Sequence, residues 1–162
     1  VQTCALPILA ETLRTNPSQR IRSLYAAFFQ IPRLPEWLLG YGEGAGLALL
    51  MRMSSHPNTF SDIDFRRYRV AWRQPGAIRG MLNWYRAAVQ TSGLRDLPRG
   101  PIQPPTLVLW GKQDIALHAS MAPASVSRCA NGQLVMLHDA THWVQHDMPE
   151  RVNSELLAFL DS

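Results

Sequence analysis

The sequence predicts an α/β protein whose helices and strands are segregated along the chain. Three observations predict it. From Gln19 to Gln90 apolar residues recur at helical spacing, with caps and prolines between the runs. From Thr91 to Pro105 the chain is rich in glycine and proline, which marks the best internal boundary. Beyond it two strand-like runs, Pro105 to Gly111 and Gln133 to Leu137, alternate with helical segments.

The first eight residues are set apart. Val1-Gln2-Thr3-Cys4-Ala5-Leu6-Pro7-Ile8 is one translation of GTT CAG ACG TGT GCT CTT CCG ATC, a string that resembles the 3′ end of a common short-read sequencing adapter. Residues 1–8 are therefore expected to be foreign to the fold, and the gene to have been cut where the read began.

Leu9 to Thr15 reads as a short helix that Asn16-Pro17 breaks. Ser18 is expected to cap a helix from Gln19 to Phe29, with Ile21, Leu24, Tyr25 and Phe28 on its apolar face. Pro35 then opens a helix over Glu36 to Met53. Gly40, Gly42, Gly44 and Gly46 weaken that helix, by about 1 kcal/mol each. They do not fit a dinucleotide-binding fingerprint, because position 45 is alanine and no strand precedes them. Close packing or a broken helix is the expectation. Ser61 and Asp64 form a capping box, with Phe60 and Phe65 as a hydrophobic staple, for a helix to Arg73 that aligns Phe65, Tyr68 and Trp72. Pro75-Gly76 precedes a helix to Gln90 with the stripe Ile78, Met81, Leu82, Tyr85, Ala88 and Val89. Leu107 to Trp110 reads as a buried strand. Ala119 to Ala130 is expected to be helical, with Cys129 near its end, before the turn signal Asn131-Gly132. Asp147, with Glu150 three residues on, is expected to cap a last helix that buries Val152, Leu156, Phe159 and Leu160.

Composition narrows the class. The chain has 162 residues, 46% hydrophobic and 17% charged, which suits one globular domain rather than a disordered segment. No apolar run is long enough to span a bilayer and no secretory signal opens the chain, so a cytoplasmic protein is expected. The net charge is +4. Lys112 is the only lysine and the arginines are scattered, so no nucleic-acid partner is expected. Cys4 and Cys129 form neither a metal-ligand spacing nor a disulfide framework.

Asp114 and His142 are the candidate catalytic residues. Asp114 lies in the loop after the first strand, following Leu109-Trp110-Gly111, and His142 in the loop after the second, just before a helix. A histidine that removes a proton from water or a hydroxyl needs a carboxylate to fix its tautomer and stabilise the imidazolium. His138, His142 and His146 recur every four residues, but His138 ends a strand, so the three share no helical face and no metal site is expected. His56 and His118 read as loop residues. Tyr25 and Tyr85 read as core aromatics whose hydroxyls find partners.

These segments resemble the α/β-hydrolase family, and within it the soluble epoxide hydrolase-like branch, over Gln19 to Ser162. The resemblance rests on Ser23 to Pro32 through Pro35-Glu36, on Gln74 to Ala77 through Leu82-Asn83-Trp84-Tyr85-Arg86, and on the tail from Leu109-Trp110-Gly111 through Asp114 to His142-Trp143. It implies a partial α/β-hydrolase fold: residues 9–99 the core junction and helical cap, and residues 100–162 the last two strands and helices of a parallel sheet. It also implies the chemistry. An aspartate attacks an epoxide carbon, His142 supported by Asp114 activates the water that hydrolyses the ester, and cap tyrosines Tyr25 and Tyr85 polarise the epoxide oxygen. The implied substrate is a small apolar epoxide, with no cofactor. The sequence departs from the family in one respect: it has neither a Gly-x-Ser-x-Gly elbow nor an aspartate in a comparable glycine-flanked turn. The expectation is an inactive C-terminal fragment. A haloalkane dehalogenase or serine esterase of the same fold, or a non-catalytic helical binding module, are the alternatives.

Overall fold

The computed structural model describes residues 5–90 and 100–161. Residues 1–4, with Cys4 among them, and the 91–99 part of the glycine- and proline-rich boundary lie outside them. Six helices come first: α1 (Ala5–Thr15), α2 (Pro17–Arg22), α3 (Leu24–Phe28), α4 (Leu34–Met53), α5 (Asp62–Trp72) and α6 (Ala77–Gln90). Then β1 (Thr106–Gly111), α7 (Met121–Val126), β2 (Gly132–Leu137), α8 (Val144–Asp147) and α9 (Pro149–Leu160) alternate. The two strands pair in parallel, in register from Thr106 opposite Gly132 to Gly111 opposite Leu137. A parallel pair needs a crossover, and α7 lies within it.

The helical half differs from expectation at its start. α1 begins at Ala5 rather than Leu9, and Ile8 is only 2% exposed. The next helix is capped by Asn16, whose side chain accepts from the Ser18 N–H at 2.9 Å, with Pro17 at the first helical position. That helix ends at Ser23, and α3 restarts from it. The break redirects the faces, so Ile21 and Leu24 are exposed while Gln19 is fully buried.

α4 is a broken helix. Tyr41 to Gly44 leave helical geometry, and Gly44 has φ +87°. A Cβ at Gly44 would stand 2.5 Å from the Trp72 ring, so glycine permits both the left-handed backbone and the close packing of α5. α5 has the expected capping box between Ser61 and Asp64, and Phe60 meets Phe65 at 5.5 Å between ring centroids. Ala48, Met51, Phe60, Phe65 and Trp72 form one core cluster. Phe29, Leu39 and Leu82 form a second, against which Tyr25 and Tyr85 pack. On α6, Leu82 is buried but Met81 and Val89 are exposed.

The strand half is more open than expected. Leu137, Ala140 and Val152 form its core, yet Leu107 to Trp110 are only half-buried, because the sheet has two strands among the described residues. α7 stops at Val126, and Cys129 instead makes an isolated parallel bridge with Ile102. Of the apolar residues expected to be buried on α9, only Val152 is buried, while Leu156 and Leu160 are exposed and Phe159 is half-buried. Asp147 does not cap α9. Met148 stands at that position without a side-chain bond, and Pro149 follows it. The Asp147 carboxylate is already committed: it accepts from the Thr59 hydroxyl at 2.6 Å and from the Thr141 amide and hydroxyl at 2.7 and 2.5 Å. No helix among the described residues is long and apolar enough to cross a membrane.

Candidate active site

The loops after β1 and β2 are stitched together. The Lys112 amide donates to the Leu137 carbonyl and the Gln113 amide to the Ala140 carbonyl, both at 2.9 Å. Gly111 permits this approach, since a Cβ there would collide with the Thr141 and Ala140 carbonyls. Asp114 and His142 are thereby brought together, with Asp114 Oδ2 2.8 Å from His142 Nδ1. An ionised carboxylate only accepts, so Nδ1 carries the shared proton and Nε2 is left to act as a base.

Asp114 is 8% exposed, and its Oδ1 accepts from the amides of Ala116 and Leu117 at 2.7 and 2.9 Å. The His142 side chain keeps 40% of its exposure, so its free edge is reachable. The hydrogen bond to Asp114 raises the imidazole above its ordinary pKa, burial opposes this, and the Asp114 charge adds to the rise. Trp143, the next residue, anchors the histidine loop to the helical half. Its indole N–H donates to Ser54 at 2.9 Å and its ring meets Phe60 edge-on at 5.2 Å.

Tyr25 on α3 and Tyr85 on α6 are edge-to-face at 5.9 Å, and Phe29 contacts both rings. Burial, then the neighbouring Tyr85 and the charge of Asp114, push the Tyr25 phenol up to about 12. Burial likewise raises Tyr85. Both phenols therefore stay protonated near neutral pH and remain hydrogen-bond donors.

The three regularly spaced histidines diverge to separate partners. His138 Nδ1 lies 3.3 Å from Lys112 Nζ, His142 faces Asp114, and His146 Nε2 lies 2.9 Å from the Tyr68 hydroxyl. No group of three His, Cys, Asp or Glu residues among the described residues is placed to hold a metal ion. His56 Nε2 lies 3.1 Å from the Asp139 carbonyl, and the His118 amide donates to Gln19 at 2.7 Å. Cys129 lies against the Ser125 carbonyl.

Sequence reasoning missed the residues that hold the site from behind. Gln19 and Arg22 reach the Asp114 loop from α2, and Thr59 reaches the histidine loop through Asp147. A lone glutamine between Ser18 and Arg20 has no spacing signal. Asp147 matched a capping pattern that its actual bonds pre-empt.

Comparison with known proteins agrees with this architecture. No protein-family model matches the chain. The AB hydrolase superfamily protein YfhM of Bacillus subtilis is 36% identical over 144 residues, covering 89% of this chain and 50% of that protein. Epoxide hydrolase 4 of Mus musculus is 31% identical over 159 residues, covering 94% of this chain and 44% of that protein. The chain thus spans about half the length of the curated relatives it matches. The crystal structure of a mutant epoxide hydrolase from Bacillus megaterium superposes with a TM-score of 0.81 at 25% identity, over 96% of this chain and 57% of that one. Over the half of those proteins that it matches, the chain is similar in sequence and in fold to the α/β-hydrolases of the epoxide hydrolase-like branch.

Proposed function

We propose that the chain supplies the base, its acidic partner and the epoxide-activating phenols of an epoxide hydrolase, acting on a small apolar epoxide. The observation that carries this reading is the placement of Tyr25, packed against Tyr85 at 5.9 Å and close enough to Asp114 to feel its charge. An acid–base pair alone would serve an esterase or a dehalogenase equally well. Two protonated phenols packed on each other, one of them sensing the Asp114 charge, suit a reaction that builds negative charge on a ring oxygen.

In the first step a carboxylate oxygen of an aspartate forms a bond to an epoxide carbon as the ring C–O bond breaks. A phenol of Tyr25 or Tyr85 gives its proton to the departing oxygen. In the second step His142 Nε2 takes a proton from water as the hydroxide adds to the ester carbonyl. The acyl C–O bond then breaks, the imidazolium gives its proton to the departing alkoxide to release the diol, and the proton of the freed aspartic acid restores the phenol. Asp114 holds the imidazole in the Nδ1–H tautomer and stabilises its charged form. We place the attacking aspartate outside these 162 residues, which contain no nucleophile turn of the family's kind. Residues 9–99 would then serve as core junction and cap, and residues 100–162 as the acid–base end of the core.

Rapid-mixing kinetics on a parent protein containing this segment tests the reading. Tyr85→Phe should slow ester formation more than ester hydrolysis, because only the first step loads charge onto the epoxide oxygen. An unchanged alkylation rate would remove the tyrosines from the mechanism.

A further inference from the structure

Gln19 is 0% exposed, and its amide is spent on three partners. Nε2 donates to the Ala116 carbonyl and to the Ser23 hydroxyl, both at 2.9 Å, and Oε1 accepts the His118 amide at 2.7 Å. Two of these bonds cross almost a hundred residues of sequence. Burying an amide is costly unless it is hydrogen-bonded, and an apolar side chain of the same volume would fill the space without that cost. The polar side chain therefore needs an account beyond packing.

The account lies in one peptide plane. The Ala116 carbonyl held by Gln19 and the Leu117 amide held by Asp114 belong to the same peptide unit. A peptide is planar and trans, so its carbonyl and its N–H point in opposite directions. Fixing the carbonyl on Gln19 fixes the direction in which the N–H meets Asp114 Oδ1. With Oδ1 held there and by Ala116, Oδ2 is turned to His142. A second bond from the same helix, Arg22 Nη1 to the Asp114 carbonyl at 2.6 Å, fixes the other end of the loop. Ser23, the third partner of Gln19, stands immediately before the helix that carries Tyr25.

We infer that Gln19 is a positioning residue for the Asp114–His142 pair: it clamps the Asp114 to His118 loop onto α2 and so aims the carboxylate at the imidazole. The inference rests on the reading of Asp114 and His142 as the acid–base pair. It goes beyond that reading by giving the pair's geometry to a residue on the helical side of the molecule.

The tautomer of neutral His142 is the readout, because loss of packing alone does not move it. Nitrogen chemical shifts of the chain labelled with ¹⁵N-histidine report the ratio of Nδ1–H to Nε2–H forms. In the unaltered chain Nδ1–H should dominate. Gln19→Met keeps the volume and removes all three bonds. It should shift the ratio toward Nε2–H by about five- to tenfold, the size of effect expected for losing one ordinary hydrogen bond's worth of orientation. Gln19→Asn keeps the amide but is one methylene too short to hold both sides of the loop. It should shift the ratio the same way by less, and it carries the test if the methionine variant does not fold. A folded variant with a lowered melting temperature and an unchanged ratio would make Gln19 structural only and overturn the inference. An unaltered chain without the Nδ1–H form would overturn the acid–base reading itself, and the inference with it.

Discussion

Arg86 grips both carboxylate oxygens of Glu36, with Nη1 2.6 Å from Oε1 and Nη2 3.0 Å from Oε2. It also donates to Asn83 Oδ1 at 3.3 Å and to two backbone carbonyls: Nε to Phe29 at 2.9 Å and Nη2 to Ile31 at 3.1 Å. One guanidinium thus ties α6, just after Tyr85, to the end of α3, just after Tyr25, and to the start of α4. This knot and the edge-to-face contact of the two rings both hold the tyrosine-bearing helices together. A planar five-donor fork does this where a lysine could not.

Arg86→Lys should therefore separate the tyrosine-bearing helices, although it preserves the charge. The thermal midpoint should fall, and Tyr25 and Tyr85 should become more exposed to fluorescence quenchers. Glu36→Gln should cost less, because the two carbonyl contacts survive. The pair also has a pH signature. The hydrogen bond from Arg86 holds Glu36 below its ordinary value, against the opposing effect of desolvation. Its folded-state pKa is depressed, so its contribution is present above the ordinary glutamate range and is lost as pH falls through the folded value. Denaturation midpoints measured from pH 7 downward should converge for the unaltered chain and Glu36→Gln at the acid end.

Asp114→Asn should lower the pKa of His142. Asparagine keeps an oxygen for the Ala116 and Leu117 amides but removes the charge and the carboxylate acceptor facing Nδ1. The shift in the unaltered chain is upward, led by the Asp114 hydrogen bond. The sign for stability follows. The stabilisation is fully present below the unfolded-state histidine value and disappears as pH rises through the raised folded value. Asp114→Asn should flatten that dependence. A proton NMR titration of the His142 ring measures the first effect, and urea midpoints between pH 5 and 9 measure the second. A His142 pKa that does not move would mean that the 2.8 Å contact does not persist in solution.

Asp147→Ala should destabilise the chain by about 2 kcal/mol or more, the scale for hydrogen bonds to a charged acceptor. Burial pushes the Asp147 carboxyl up, but the bonds from Thr141 and Thr59 outweigh it and hold the group below its usual range. The carboxylate joins the loop that carries His142 to the loop before α5. Thr59→Val should reproduce part of the loss and Thr141→Val another part. Because the three share one node, the single losses should not add in a double-mutant cycle by chemical denaturation.

What the sequence disclosed, and what it hid, divides by range. The capping box at Ser61 and Asp64, the β1 and β2 runs and the Asp114–His142 pair were all legible, because each rests on chemistry within a few residues or on a strand–loop order. The Tyr25–Tyr85 pairing was legible only through family resemblance, since no local pattern links positions 60 residues apart. The break at Ser23 was hidden, and with it the burial of Gln19. Asn16 and Pro17 start the helix two residues earlier than Ser18 would, which turns a different face inward. Asp147 misled because the Asp-x-x-Glu pattern looks forward along the chain, whereas its carboxylate is taken by Thr141 six positions back and by Thr59 88 positions away. The exposed apolar residues Leu156 and Leu160 of α9 follow the helical period faithfully. Periodicity predicts a face, and of that face only Val152 is buried.

The chain as given should not turn over an epoxide. Asp114 and His142 form a pair able to activate water, but that pair acts on an ester, and none of the 162 residues stands in the family's nucleophile turn. In the best-studied triad enzyme, removing the nucleophile costs on the order of 10⁶ in kcat, and what remains comes from binding and the oxyanion hole. Asp114 cannot substitute, since its Oδ1 is held by two backbone amides and its Oδ2 by His142. Two measurements separate the possibilities. Intact mass spectrometry after incubation with styrene oxide should show no ester adduct that hydroxylamine removes. Turnover of the same compound should equal that of His142→Gln, which lacks the base. A hydroxylamine-sensitive adduct on any aspartate of this chain would identify a nucleophile within it and return the complete reaction to these residues.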